Sequence, residues 1–102
     1  MTRSLLLLAV LLHSGCAGAL VYAESRKVTR EGIIPPLATL APGVPTEGAA
    51  DCVMKGLTQG EVISLPNSGT LDDPSRASAF VQGVLARPDV GACVANLPKT
   101  AA

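Results

Sequence analysis

Two cysteines, Cys52 and Cys93, are the residues in this sequence best placed to do covalent chemistry, and their separation restricts what that chemistry is. They stand too far apart for a Cys-x-x-Cys redox pair, and no second cysteine pair completes a zinc site. A structural disulfide is the reading that remains. The other reactive side chains are sparse. The only histidine, His13, falls in the N-terminal apolar segment, so the rest of the chain has no imidazole for a triad, a proton shuttle or a metal site. Ser64, Ser68, Ser75 and Ser78 have no base beside them, and none sits in a Gly-x-Ser-x-Gly turn. Asp72-Asp73 offers paired carboxylates, but adjacent acids ahead of a proline read as helix cap and dipole partners, with no third ligand spaced as in a calcium loop. The glycines make no phosphate loop, because no Gly-Lys-Ser/Thr run follows them. The inventory therefore names no catalytic residue, no metal ligands and no cofactor.

The third cysteine, Cys16, belongs to a different kind of chemistry. Residues 1–23 read as an export segment: Arg3, eight continuous apolar residues from Leu5 to Leu12, then small and weakly polar residues. His13-Ser14-Gly15-Cys16 resembles the bacterial lipobox, in which small residues precede a cysteine that receives lipid. The resemblance implies a membrane tether through Cys16, although His13 stands where that pattern has an aliphatic residue. Two other endings compete with it. Val21 and Ala23 supply the small-residue spacing for ordinary cleavage after Ala23. Alternatively, Leu5 to Ala23 is close to the minimum length for an uncleaved anchor. With Cys16 lipidated or removed, the odd cysteine count becomes an even pair, which supports the Cys52–Cys93 bridge and an exported, periplasmic or membrane-tethered location.

Charge and aromatic content exclude further classes. Formal net charge is zero, and removing the first 23 residues discards only Arg3, leaving seven basic against eight acidic residues. Such a chain has no basic face for nucleic acid. With one Phe, one Tyr and no Trp, it also lacks the large side chains that dominate cores and interfaces.

The elements that must position the cysteines follow. Residues 24–45 read as a disordered Pro/Gly linker, since Pro35-Pro36 and Pro42-Gly43-Val44-Pro45 interrupt any helix. Ile33 to Leu37 alternatively reads as a proline-rich docking peptide. Residues 46–98 are expected to form an all-α domain, a small bundle of three to four short helices clamped by one disulfide, with residues 99–102 as a frayed tail. The first helix should cover about Glu47 to Lys55, with Thr46 as N-cap and Gly56 closing it. A second begins at Thr58, which makes a capping box with Glu61, and carries Val62, Ile63 and Leu65 until Pro66 stops it. Asp73 caps the clearest helix, with Pro74 at its first position and Ala77, Phe80, Val81, Val84 and Leu85 as its apolar stripe to about Arg87. Gly83 is expected to admit a close neighbouring helix. Pro88 opens the last helix, with Val90, Cys93, Val94 and Leu97 on one face.

The function expected from this inventory is a non-enzymatic structural or interaction module of an envelope, with an unidentified protein partner. The alternative is a domain binding a small apolar ligand or lipid in a groove lined by Phe80 to Leu85.

Overall fold

A computed structural model describes the backbone of residues 2–99 and the side chains of residues 18–99. It is all-helical: α1 (Thr2–Leu40), α2 (Thr46–Gly56), α3 (Gln59–Ser68), a 3₁₀ turn (Thr70–Asp72), α4 (Pro74–Leu85) and α5 (Pro88–Ala95). No strand forms among the described residues. Among the described residues the α-helices number five where three to four short ones were expected, and the extra one is the longest.

That helix corrects the reading of residues 24–45 as a disordered linker. The stretch is helical as far as Leu40, and only residues 41–45 connect α1 to α2. An interior proline costs a helix about 3 kcal/mol by removing a hydrogen bond and crowding a carbonyl. Here the cost is offset by burial. Thr29, Ile33, Pro36 and Leu37 are buried, and Tyr22, Ile34 and Leu40 are half-buried against the same core. Fully burying an Ile or Leu side chain is worth about 1.5–3 kcal/mol. The same burial tells against a free docking peptide at Ile33 to Leu37. Towards its C-terminus, α1 is thus a wall of the core rather than a spacer leading to it.

The core itself is built mainly from small aliphatic side chains. Ala49, Ala50, Val53 and Met54 come from α2, Val62 from α3, Val81 and Val84 from α4, and Val90 from α5. α1 packs against α2, α3 and α4, while α5 rests on α2 and the end of α4. Small residues bring the backbones together. A Cβ on Gly56 would run into Val90, so the end of α2 can approach the start of α5 only with glycine there. Gly48 admits Leu97 in the same way, at 3.1 Å from where its Cβ would lie. Gly83, by contrast, faces open space and admits no neighbour.

Helix starts follow the capping chemistry at two of the predicted places. Thr58 and Glu61 form the reciprocal capping box, and the Asp73 carboxylate accepts from the amides of Ser75 and Arg76 with Pro74 following. Thr46 is not a cap. Pro45 takes that position and offers no side-chain acceptor.

The end of α3 departs from expectation. Pro66 does not stop the helix, which continues to Ser68 and closes at Gly69 in the left-handed conformation, φ 73°. Pro66 has no amide hydrogen for the Val62 carbonyl four residues earlier. The Thr29 hydroxyl of α1 donates to that carbonyl instead, at 3.2 Å, so the buried acceptor is satisfied from outside the helix.

Candidate functional site

Cys52 lies buried on α2 and Cys93 half-buried on α5, their Cα atoms 5.7 Å apart, and the two sulfurs are bonded. The bridge closes the expected pair and joins the first short helix to the last. For a loop of about 42 residues, the chain-entropy model assigns such a link about 4 kcal/mol of stabilisation. Cys16 and His13 lie outside the residues whose side chains the structure describes, so the tether reading rests on sequence.

A second tie sits beside the Gly56–Val90 contact and was not legible in the sequence. Arg87, at the junction of α4 and α5, donates through Nη1 to Glu61 Oε1 at 2.9 Å and through Nη2 to Oε2 at 2.7 Å. Nη1 also donates to the Gly56 carbonyl at 2.8 Å, satisfying an acceptor at the C-terminus of α2. One guanidinium thus joins the end of α2, the start of α3 and the α4–α5 junction. Glu61 meanwhile accepts from the Thr58 amide at 3.0 Å. The Arg87 hydrogen bonds are the main cause holding the Glu61 carboxyl down from its ordinary value of 4.5 to about 2, and Arg87 is raised in return. Sequence marked Glu61 only as a capping residue, because nothing local announces that Arg87 reaches it. Arg30 of α1 makes a more exposed tie to α2, with Nη2 at 2.8 Å from Asp51 and 3.0 Å from Glu47.

The Phe80 to Leu85 stripe does not line a groove. Val81 and Val84 are buried in the core, and Phe80 and Leu85 pack half-buried against it. The concave surface lies instead along one face of α1. Val21, Glu24, Ser25 and Val28, spaced i, i+3, i+4 and i+7, flank a cleft of about 290 Å³ closed by Pro66 and Asn67 of α3. Gly32, Pro35, Pro36 and Thr39 repeat that spacing further along the face and flank a second cleft of about 310 Å³. Its other wall includes Leu71 of the 3₁₀ turn and Ala77 and Ser78 of α4. Both clefts were missed because the prolines masked a helical period in which Val21, Val28, Gly32 and Thr39 share a side.

Asp73 is occupied as a cap, and among the described residues no group of three or more His, Cys, Asp or Glu side chains is arranged to hold a metal ion. Val21 and Val28, which line the first cleft, are exposed at 55% and 40%, and Leu20 of α1 and Ile63 of α3 are also exposed, at 71% and 36%. Among the described residues, no helix is long and apolar enough to cross a membrane. In comparison with known proteins, no family model matches the sequence, and neither the curated proteins nor the solved structures yield a match.

Proposed function

We propose that this chain is a small non-enzymatic module of an envelope, exported to an oxidising compartment and held at a membrane by its N-terminal segment. There it presents one face of a disulfide-clamped helical domain to a protein partner. The observation that carries this reading is the exposed aliphatic set Leu20, Val21 and Val28 along α1, with Ile63 on α3. Apolar residues grouped on one helix, beside a cleft and not folded into the core, have the character of an interaction surface. The Cys52–Cys93 bridge supports the compartment, since disulfides persist where thiols are not kept reduced.

Because α1 enters the core as a helix, the partner face is held rigidly to the N-terminal segment. Its 17 residues from Glu24 to Leu40 span about 25 Å at the helical rise. A photo-crosslinking residue placed at Val21 or Val28 in an exporting host should give one discrete protein adduct, and the same residue at exposed Gln82 on α4 should not. Equal labelling from all three positions, or none, would reject the partner face. Intact mass measurement of the same material reads the N-terminus: an acylated chain beginning at Cys16 keeps the tether, Leu20 and Val21, whereas a chain beginning at Glu24 fits export but lacks all three and would overturn the tether and that part of the partner face. An unprocessed, reduced chain in the cytosol contradicts the reading.

A second reading, binding of a small apolar molecule, is favoured by the other cleft along α1.

A further inference from the structure

Pro35 and Pro36 do more to α1 than fail to break it. In a helix, a carbonyl accepts from the amide four residues on, or from the one three residues on where the turn tightens. For Gly32 those two residues are Pro36 and Pro35, and neither has an amide hydrogen. The Gly32 carbonyl is thereby denied both of its ordinary helical donors. A glycine in this position also lets Leu71 pack directly on the backbone, since an added Cβ would meet its Cδ1 at 2.8 Å. The 310 Å³ cleft opens beside this backbone, with Gly32, Pro35 and Pro36 in its wall and the hydroxyl-bearing residues Thr39 and Ser78 also lining it.

The same molecule shows what such a carbonyl recruits. Pro66 denies Val62 its amide, and the Thr29 hydroxyl supplies the hydrogen bond from a neighbouring helix. At Gly32, the surface of α1 faces a cleft instead of a donor helix. Its volume is at the lower end of small-molecule sites, large enough for one compact ring system.

We propose that the cleft between α1 and the 3₁₀ turn–α4 segment is a binding site for a small, uncharged, largely apolar molecule bearing one N–H or O–H group, which donates to the Gly32 carbonyl. The apolar wall comes from Pro35, Pro36, Leu71 and Ala77, and the hydrogen bond fixes orientation. This site is independent of the partner face at Val21 and Val28, so either can fail without the other.

The test uses indole and 1-methylindole, which share a ring system and differ in the single N–H. Each is titrated into ¹⁵N-labelled oxidised protein isolated from an exporting host, and amide shifts are followed by NMR. Indole should shift the amides of Gly32, Leu71, Ala77 and Ser78 saturably, with 1-methylindole binding at least about tenfold more weakly, a difference of about 1.4 kcal/mol. Pro36→Ala restores an amide to the Gly32 carbonyl and should abolish that preference while the helix persists. Pro35→Ala returns only the i+3 amide, the poorer helical donor, and should reduce the preference less than Pro36→Ala does. Ser78→Leu, filling the cleft, should weaken both probes. Absence of saturable shifts around the cleft, equal binding of the two probes, or a preference unchanged in Pro36→Ala would each overturn the proposal.

Discussion

Thr29 and Glu61 show how single side chains hold this small fold. Thr29 is the buried polar residue of the core, and its hydroxyl replaces the amide that Pro66 lacks. Thr29→Val keeps the shape and removes the donor, leaving the Val62 carbonyl without it. The expected loss is about 1–3 kcal/mol, the cost of a buried acceptor left unmade, read as a lower urea midpoint with unchanged slope. Glu61 gives a pH signature. Its carboxyl is held at about 2 in the folded protein against an ordinary 4.5, mainly by the Arg87 hydrogen bonds. A depressed carboxyl contributes stability that is complete above its unfolded value and is lost as pH falls through the folded one. The advantage of the native protein over Glu61→Gln should therefore be constant above about pH 5 and shrink between about 4.5 and 2. Urea midpoints measured across that window would show it, and a gap that does not narrow on acidification would mean the Arg87 contact is not made in solution.

At the level of elements, α1 decides the packing. Val62, Val81 and Val53 would otherwise form a core with an open side, and Ile33 and Leu37 belong to the cluster that closes it. Replacing either with alanine should cost about 2–5 kcal/mol, the range for truncating a buried aliphatic residue, whereas a spacer position would change stability by no more than about 0.5 kcal/mol. Thermal or urea unfolding of Ile33→Ala and Leu37→Ala distinguishes these outcomes directly. The period that places them was present in the sequence: Tyr22, Thr29, Ile33, Leu37 and Leu40 recur at helical spacing. It was overridden by Pro35-Pro36, since local propensity cannot show that a neighbouring core will offset the missing hydrogen bonds. At the opposite extreme, the starts of α3 and α4 were legible because a cap involves residues only two or three positions apart.

For the whole molecule, size is the governing constraint. A domain confined to residues 46–98 would be small enough that burial barely offsets ordering, even with a disulfide. α1 enlarges the core, and the Cys52–Cys93 bridge ties α2 to α5 on the side that α1 does not reach. An oxidised fragment of residues 46–98 should accordingly show no cooperative thermal transition, while residues 24–102, which retain the fully buried α1 residues Thr29, Ile33 and Leu37, should show one. Cooperative unfolding of the shorter fragment would return α1 to the role of an accessory stem. The helical class and the bridge belong to the same scale but were visible earlier, because cysteine number and apolar periodicity are properties of the chain as a whole.

Sequence by itself determined the helical class, the cysteine pairing and the caps at Thr58 and Asp73, because each depends on composition or on residues a few positions apart. Tertiary structure alone decided that α1 continues through two prolines, that Pro66 is tolerated inside α3, and that Arg87 finds Glu61. Those outcomes rest on donors and apolar surfaces brought from distant parts of the chain: Thr29 to Val62 across 33 positions, and Arg87 to Glu61 across 26. A proline read locally is a missing hydrogen bond, and whether that bond stays missing depends on what the fold packs beside it.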